Sequence, residues 1–177
     1  MKRSKIIALS AISSAFSILF LTAGVFLSVL DYSAIFMASL CTMLPLAKKS
    51  WKGGVFTYFG TLLLALIFFV GVRPEIVLTY GIFFGLHPTV NFILREKNFN
   101  KIIGVIIKTV WFVASLLLVY WLFSGFLFEE SLLNNEIFKK YAYIIISAVG
   151  AVLFIAYDFL MMRFQAMMDK TIEKLKL

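Results

Sequence analysis

Among the 177 residues there is one cysteine, one histidine and only three prolines. The lone Cys41 excludes an internal disulfide, and His87 alone cannot build an imidazole metal site, with no cysteine cluster to replace it. Charge is scarce too: 15% of residues are Asp, Glu, Lys or Arg, against about 25% in soluble domains. There is no glycine-rich phosphate loop, no His-Glu-x-x-His pair and no Gly-x-Ser-x-Gly elbow. Converging carboxylates, or a nucleophile beside a base, cannot be assembled from the remaining residues. These absences argue against an enzyme and call for no cofactor and no metal. Repeats, low-complexity tracts and a soluble domain are missing as well.

What is present is apolar: 62% of the chain is hydrophobic, well above the about 45–50% of globular domains. Six apolar segments follow one another, at 6–30, 33–47, 53–72, 75–94, 102–128 and 138–162. The first carries no charge from Ile6 to Leu30, and as a helix it reaches ~37 Å, enough to cross a hydrocarbon core of about 30 Å. That run exceeds the about 7–15 apolar residues of a signal peptide, and five more segments follow it. The expected fold is an all-α membrane protein, a bundle of six transmembrane helices forming one domain over 1–177. Pro45 should distort the second helix, Pro74 should open the fourth, and Pro88 should kink it after His87.

Orientation follows from the basic residues. Lys2, Arg3 and Lys5, then Lys48, Lys49 and Lys52, then Arg95, Lys97 and Lys101, and finally Arg163, Lys170, Lys174 and Lys176 fall on one side. The other side has Arg73, Lys139 and Lys140. Positive charge gathers on the cytoplasmic side, so both termini are expected there, in a cell membrane that is crossed several times. The net charge of +8 is thereby accounted for by topology and anionic lipid, and nucleic acid is not an expected partner. Residues 164–177 read as a cytoplasmic amphipathic tail: Phe164, Met167, Met168, Ile172 and Leu175 recur at helical spacing, and the tail is expected to lie against the membrane surface.

Candidate functional residues fall into three groups. On the first helix, Ser4, Ala8, Ala11, Ala15 and Thr22 form a stripe of small side chains with Ser10, Ser14 and Ser17 beside it and Ile12 on another face; such stripes let membrane helices approach closely. Within the fifth and sixth segments, Lys108 and Asp158 lie at similar depth and allow three readings: snorkelling to the interface, an ion pair, or a proton or transport role. On the outer side, Arg73, Glu75, Tyr80, Tyr120, Trp121, Asn134 and Tyr141 are either an interfacial aromatic belt with solvated loops or the lining of a pocket for a small polar-aromatic solute.

The Ala11-x-x-x-Ala15 pattern in a first helix, six helices with cytoplasmic ends and acidic or aromatic outer loops resemble the S components of energy-coupling factor (ECF) transporters. The stretch TYGIFFGLHPTVNFILREK, residues 79–97, also resembles the fourth helix of uncharacterised Firmicute six-helix membrane proteins grouped with them. The resemblance implies a substrate-binding membrane subunit in a bacterial plasma membrane. Such a subunit takes a vitamin-like small molecule from outside and docks through Ala11 and Ala15 to a transmembrane coupling subunit driven by two ATPases. Signatures for thiamine, riboflavin, biotin or a His-ligated metal are not found, so the solute is unnamed. The alternative is a structural or regulatory six-helix protein that uses the same stripe to bind partner membrane proteins and carries no solute.

Overall fold

A computed structural model describes residues 3–127 and 136–174. Among these residues the chain is helical, without strands, and six stretches are long and apolar enough to cross a membrane: Arg3–Phe26, Ser28–Ala47, Trp51–Phe69, Pro74–Glu96, Lys101–Ser124 and Lys140–Lys174. They correspond to α1 (Arg3–Phe26), α2 (Asp31–Cys41) with α3 (Met43–Ala47), α4 (Trp51–Phe69), α5 (Pro74–Thr79) with α6 (His87–Glu96), α7 (Lys101–Leu127) and α8 (Glu136–Lys174). By contact, the chain divides into two compact units, Met1–Phe99 with Leu160–Leu177, and Asn100–Phe159.

The prolines act, but not all where expected. Pro45 has no N–H to offer the Cys41 carbonyl four residues back, and α2 ends at that residue, giving way through Thr42 to α3. Pro88 was expected to kink the fourth helix from within. It sits instead in the first turn of α6, where a missing N–H costs nothing. The disruption lies upstream, in a π-turn over Tyr80–Phe84 that closes with Gly85 N–H donating to the Tyr80 carbonyl at 2.8 Å. Widening the helix there accommodates the steric conflict between a proline ring and the carbonyl of residue i−4. Pro74 opens α5, with Glu75 in its first turn, as the spacing predicts.

Two basic turns are built alike. After α3, Lys49 adopts φ 55° while Ser50 N–H donates to Pro45 O and Lys49 N–H to Leu46 O; after α6, Asn98 adopts φ 49° while Phe99 N–H donates to Leu94 O and Asn98 N–H to Arg95 O. Both are Schellman caps using a non-glycine residue in the left-handed region. Ser50 then caps α4 by accepting from Gly53 N–H at 3.1 Å. Asn100 caps α7 by accepting from Ile102 and Ile103.

In the first unit, α1, α2 and α4 approach so closely that side chains have little room. A Cβ on Gly24 would stand 2.7 Å from Ala34 Cβ, one on Gly53 2.6 Å from Pro45 Cβ, and one on Gly60 2.8 Å from Ser14 Oγ. The core there includes Leu21, Val25, Ile35, Ala38, Ala65, Phe69, Ile76 and Tyr80. Residues 160–174 of α8 pack on this unit. Phe164 meets Phe36 edge to face at 5.9 Å, and Asp169 pairs with Arg95 at 3.0 Å. The tail thus turns Phe164 and Gln165 onto its own chain, while Met167, expected on the same apolar face, is exposed. Leu175 lies outside the described residues.

The second unit pairs α7 with residues 136–159 of α8. Phe112 and Phe154 stack in a tilted contact at 5.4 Å, and Gly150 admits Leu116 where a Cβ would come within 2.8 Å. α7 is kinked at Phe123, directly before Ser124-Gly125, a pair at which helices commonly bend.

Candidate functional site: the two faces of the first helix and the buried polar groups

Along α1 the small residues separate into two faces. Ser10, Ser13, Ser14 and Ser17 are buried, together with Leu21 and Gly24. Ser10 Oγ donates to Gly53 O at 3.0 Å, Ser14 Oγ to Thr57 O at 3.1 Å and Ser17 Oγ to Ala38 O at 2.9 Å. These carbonyls already serve α4 and α2, and a short hydroxyl reaches them only because the facing positions are glycine, threonine or alanine. Ala8, Ala11 and Ala15 lie on the opposite face and are exposed. Ile12, expected on another face, borders them and is also exposed; at ~100° per residue it falls within the same arc. The serines beside the stripe therefore hold the chain's own helices, and the alanines of the stripe are left outward.

At the end of the bundle where α1 turns into α2, three charges meet. Arg73 donates through Nη2 to Asp31 Oδ2 at 2.5 Å and through Nε to Glu75 Oε1. Glu75 is buried and Arg73 half-buried. The hydrogen bond that Arg73 donates to Glu75, followed by the one it donates to Asp31, holds the guanidinium proton more firmly than usual. Of the proposed outer residues, Arg73 and Glu75 are thus brought together, engaged with each other. Asp31, an acid at a segment boundary on the same side of the sequence as Arg73, is their third partner.

Tyr80 begins the π-turn and is fully buried, stacked on Tyr58 at 6.4 Å between ring centres. Tyr120, Trp121 and Tyr141 belong to the second unit. Tyr120 meets Tyr143 edge to face at 5.5 Å, Trp121 is 68% exposed, and Tyr141 is exposed with Lys140 over its ring at 5.3 Å. Exposure of this kind suits an interfacial belt. Asn134 lies outside the described residues.

Lys108 and Asp158 form an ion pair. Lys108 Nζ donates to both carboxylate oxygens, at 2.6 and 2.7 Å, and the two residues are 5% and 2% exposed. Snorkelling is not the conformation found, because the ammonium points to a partner rather than to an end of the helix. His87 is buried, its ring 5.0 Å from Phe83 and its Nε2 3.4 Å from Asn91 Nδ2. Among the described residues no three His, Cys, Asp or Glu side chains converge in a way that could hold a metal ion.

Fold and site together define a class: a helical protein with six stretches suited to spanning a membrane, whose charges Arg73 and Lys108 are paired within their own units and whose first helix leaves an alanine face uncovered. No family model, curated protein or solved structure matches the chain.

Proposed function

We propose that this chain is a multi-pass subunit of a bacterial plasma membrane assembly, with both termini in the cytoplasm, and that it docks to a partner helix through Ala8, Ala11 and Ala15. In its specific form the proposal is the substrate-binding subunit of an ECF-type importer. A transmembrane coupling subunit, linked to two ATPases, would then pack on this face, and a vitamin-like solute would enter from the side bearing Arg73. The observation that carries the docking is the exposure of the three alanines beside a serine face that is fully used inside the chain. Between membrane helices, close backbone approach at small residues is what makes a contact, since lipid supplies no hydrophobic drive. Orientation rests on the asymmetry of lysine and arginine.

The test is co-purification in mild detergent. Replacing Ala11 and Ala15 together by Leu overpacks a tight contact, at a cost of ~1–3 kcal/mol, or about five- to over a hundredfold in association. Partners should be lost from the double variant, while Ile67→Leu on the exposed face of α4 should keep them. Retention of every partner would sink the docking. A second reading, a structural or regulatory subunit without a solute, uses the same face. It is favoured by the mutual pairing of Asp31, Arg73 and Glu75, which engages these charges with one another without a ligand. Coupling-subunit and ATPase bands among the partners favour the importer; their absence from a partner set released by the double variant favours the second reading.

A further inference from the structure

The two turns that share a Schellman cap differ in the residue that closes them. Asparagine enters the left-handed region with little penalty because its short amide can bond locally, and Asn98 does so after α6, at φ 49°. Lys49, at φ 55° after α3, has no such help. Glycine would close this turn with less strain, so the lysine is held there against the preference of the backbone, with its side chain exposed.

Charge sets the turns apart as well. At the second turn Arg95 is engaged by Asp169 at 3.0 Å and lies over the ring of Phe92, and Glu96 stands beside Lys97 in the chain. The first turn reads Lys48-Lys49-Ser50-Trp51-Lys52 and contains no acid. Among the described residues none of its three lysines forms an ion pair. The neighbouring element adds to the excess rather than relieving it. A Cβ on Gly53 would meet Ile6 Cγ2 at 3.3 Å, which sets the start of α1, with Arg3 and Lys5, beside the turn.

Place in the fold decides which anion such a turn meets. It joins Ser28–Ala47 to Trp51–Phe69, two stretches long and apolar enough to cross a membrane, so in a spanning chain it stands at the level of the lipid headgroups. Trp51 is 49% exposed there, with the Lys52 ammonium 5.8 Å from its ring centre. An indole, apolar on its faces and a donor through its N–H, suits that level. The second turn shows Phe99 instead, 42% exposed and without a polar atom in its side chain.

We propose that the turn of Lys48, Lys49, Trp51 and Lys52 is a contact for the headgroup of an anionic phospholipid, and that the turn of Asn98 is not. The contact rests on the reading of both flanking stretches as spanning helices; it is independent of the alanine face and of any solute. Ammonium groups without counter-charge favour a headgroup of net negative charge over a zwitterionic one, whose own cation they repel.

The experiment places the full chain in nanodiscs of equal parts phosphatidylglycerol and phosphatidylcholine with identical acyl chains, releases it into mild detergent and counts the retained lipids by native mass spectrometry. The unaltered chain should keep phosphatidylglycerol in preference to phosphatidylcholine. The triple variant Lys48→Gln, Lys49→Gln, Lys52→Gln should retain at least about tenfold less of it. The variant Lys97→Gln, Lys170→Gln, Lys174→Gln removes the same charge and should retain it as the unaltered chain does. Equal retention of the two lipids, or equal loss in the two variants, overturns the proposal, as does loss of a co-purifying protein in place of lipid from the first variant. An unaltered chain that does not enter the bilayer overturns the spanning reading and the contact with it. Should the first variant not assemble, Lys49→Gln alone, at an exposed side chain, gives the same readout at smaller amplitude.

Discussion

In the first unit, Ser10, Ser14 and Ser17 give their protons to carbonyls of neighbouring helices across contacts that glycine keeps short, whereas the second unit buries one ammonium against one carboxylate among phenylalanine rings. The two arrangements differ in what they risk. A hydroxyl deprived of one acceptor can rotate to another, so each serine bond is individually weak and replaceable. A buried charge has no such recourse, and the Lys108–Asp158 pair stands or falls as a unit.

Three substitutions sharpen this contrast, beginning with the largest effect. Lys108→Met takes the ammonium away from Asp158, which is 2% exposed, and breaking a buried pair in this way costs about 3–5 kcal/mol. Unfolding of the detergent-solubilised protein in increasing SDS should show the loss, and adding Asp158→Leu should recover most of it. A single variant as stable as the double would mean that the carboxylate finds water.

Next is Gly24→Ala, which sets a methyl 2.7 Å from Ala34 Cβ. A Cβ cannot rotate away, so α1 and α2 must separate, at about 1–3 kcal/mol. Gly71→Ala meets nothing within 4 Å and should leave the same unfolding curve unmoved. The smallest effect belongs to Ser14→Ala. Hydrogen bonds between membrane helices average about 0.6 kcal/mol, and here Thr61 can swing onto the vacated Thr57 carbonyl. A loss as large as that of Lys108→Met would erase the distinction between the units.

Much of the fold could be read from the chain: six apolar runs with so few charges leave little choice but helices. The polar sites were less legible. Lys108 and Asp158 were recognisable as a pair by depth, since two charges in apolar segments need each other, yet snorkelling could not be excluded without knowing where the ammonium points. The serines of α1 stand beside the alanine stripe in the sequence, but helical spacing gives neighbourhood and not which side is turned inward. That depends on Gly53, Thr57 and Ala38 in distant helices, whose carbonyls select the serines. Pro88 misled for a related reason: its effect was relieved upstream in the π-turn, at a cost that spacing rules do not register.

The central claim is that α1 turns its alanines toward a partner and its serines toward its own chain. A photo-crosslinking residue placed singly at Ala11, Ala15 and, as comparison, at the lipid-suited Ile67 of α4 tests it in native membranes. Irradiation should give one protein adduct of constant mass from positions 11 and 15, and lipid adducts alone from position 67. Lipid adducts alone from all three positions would contradict the account.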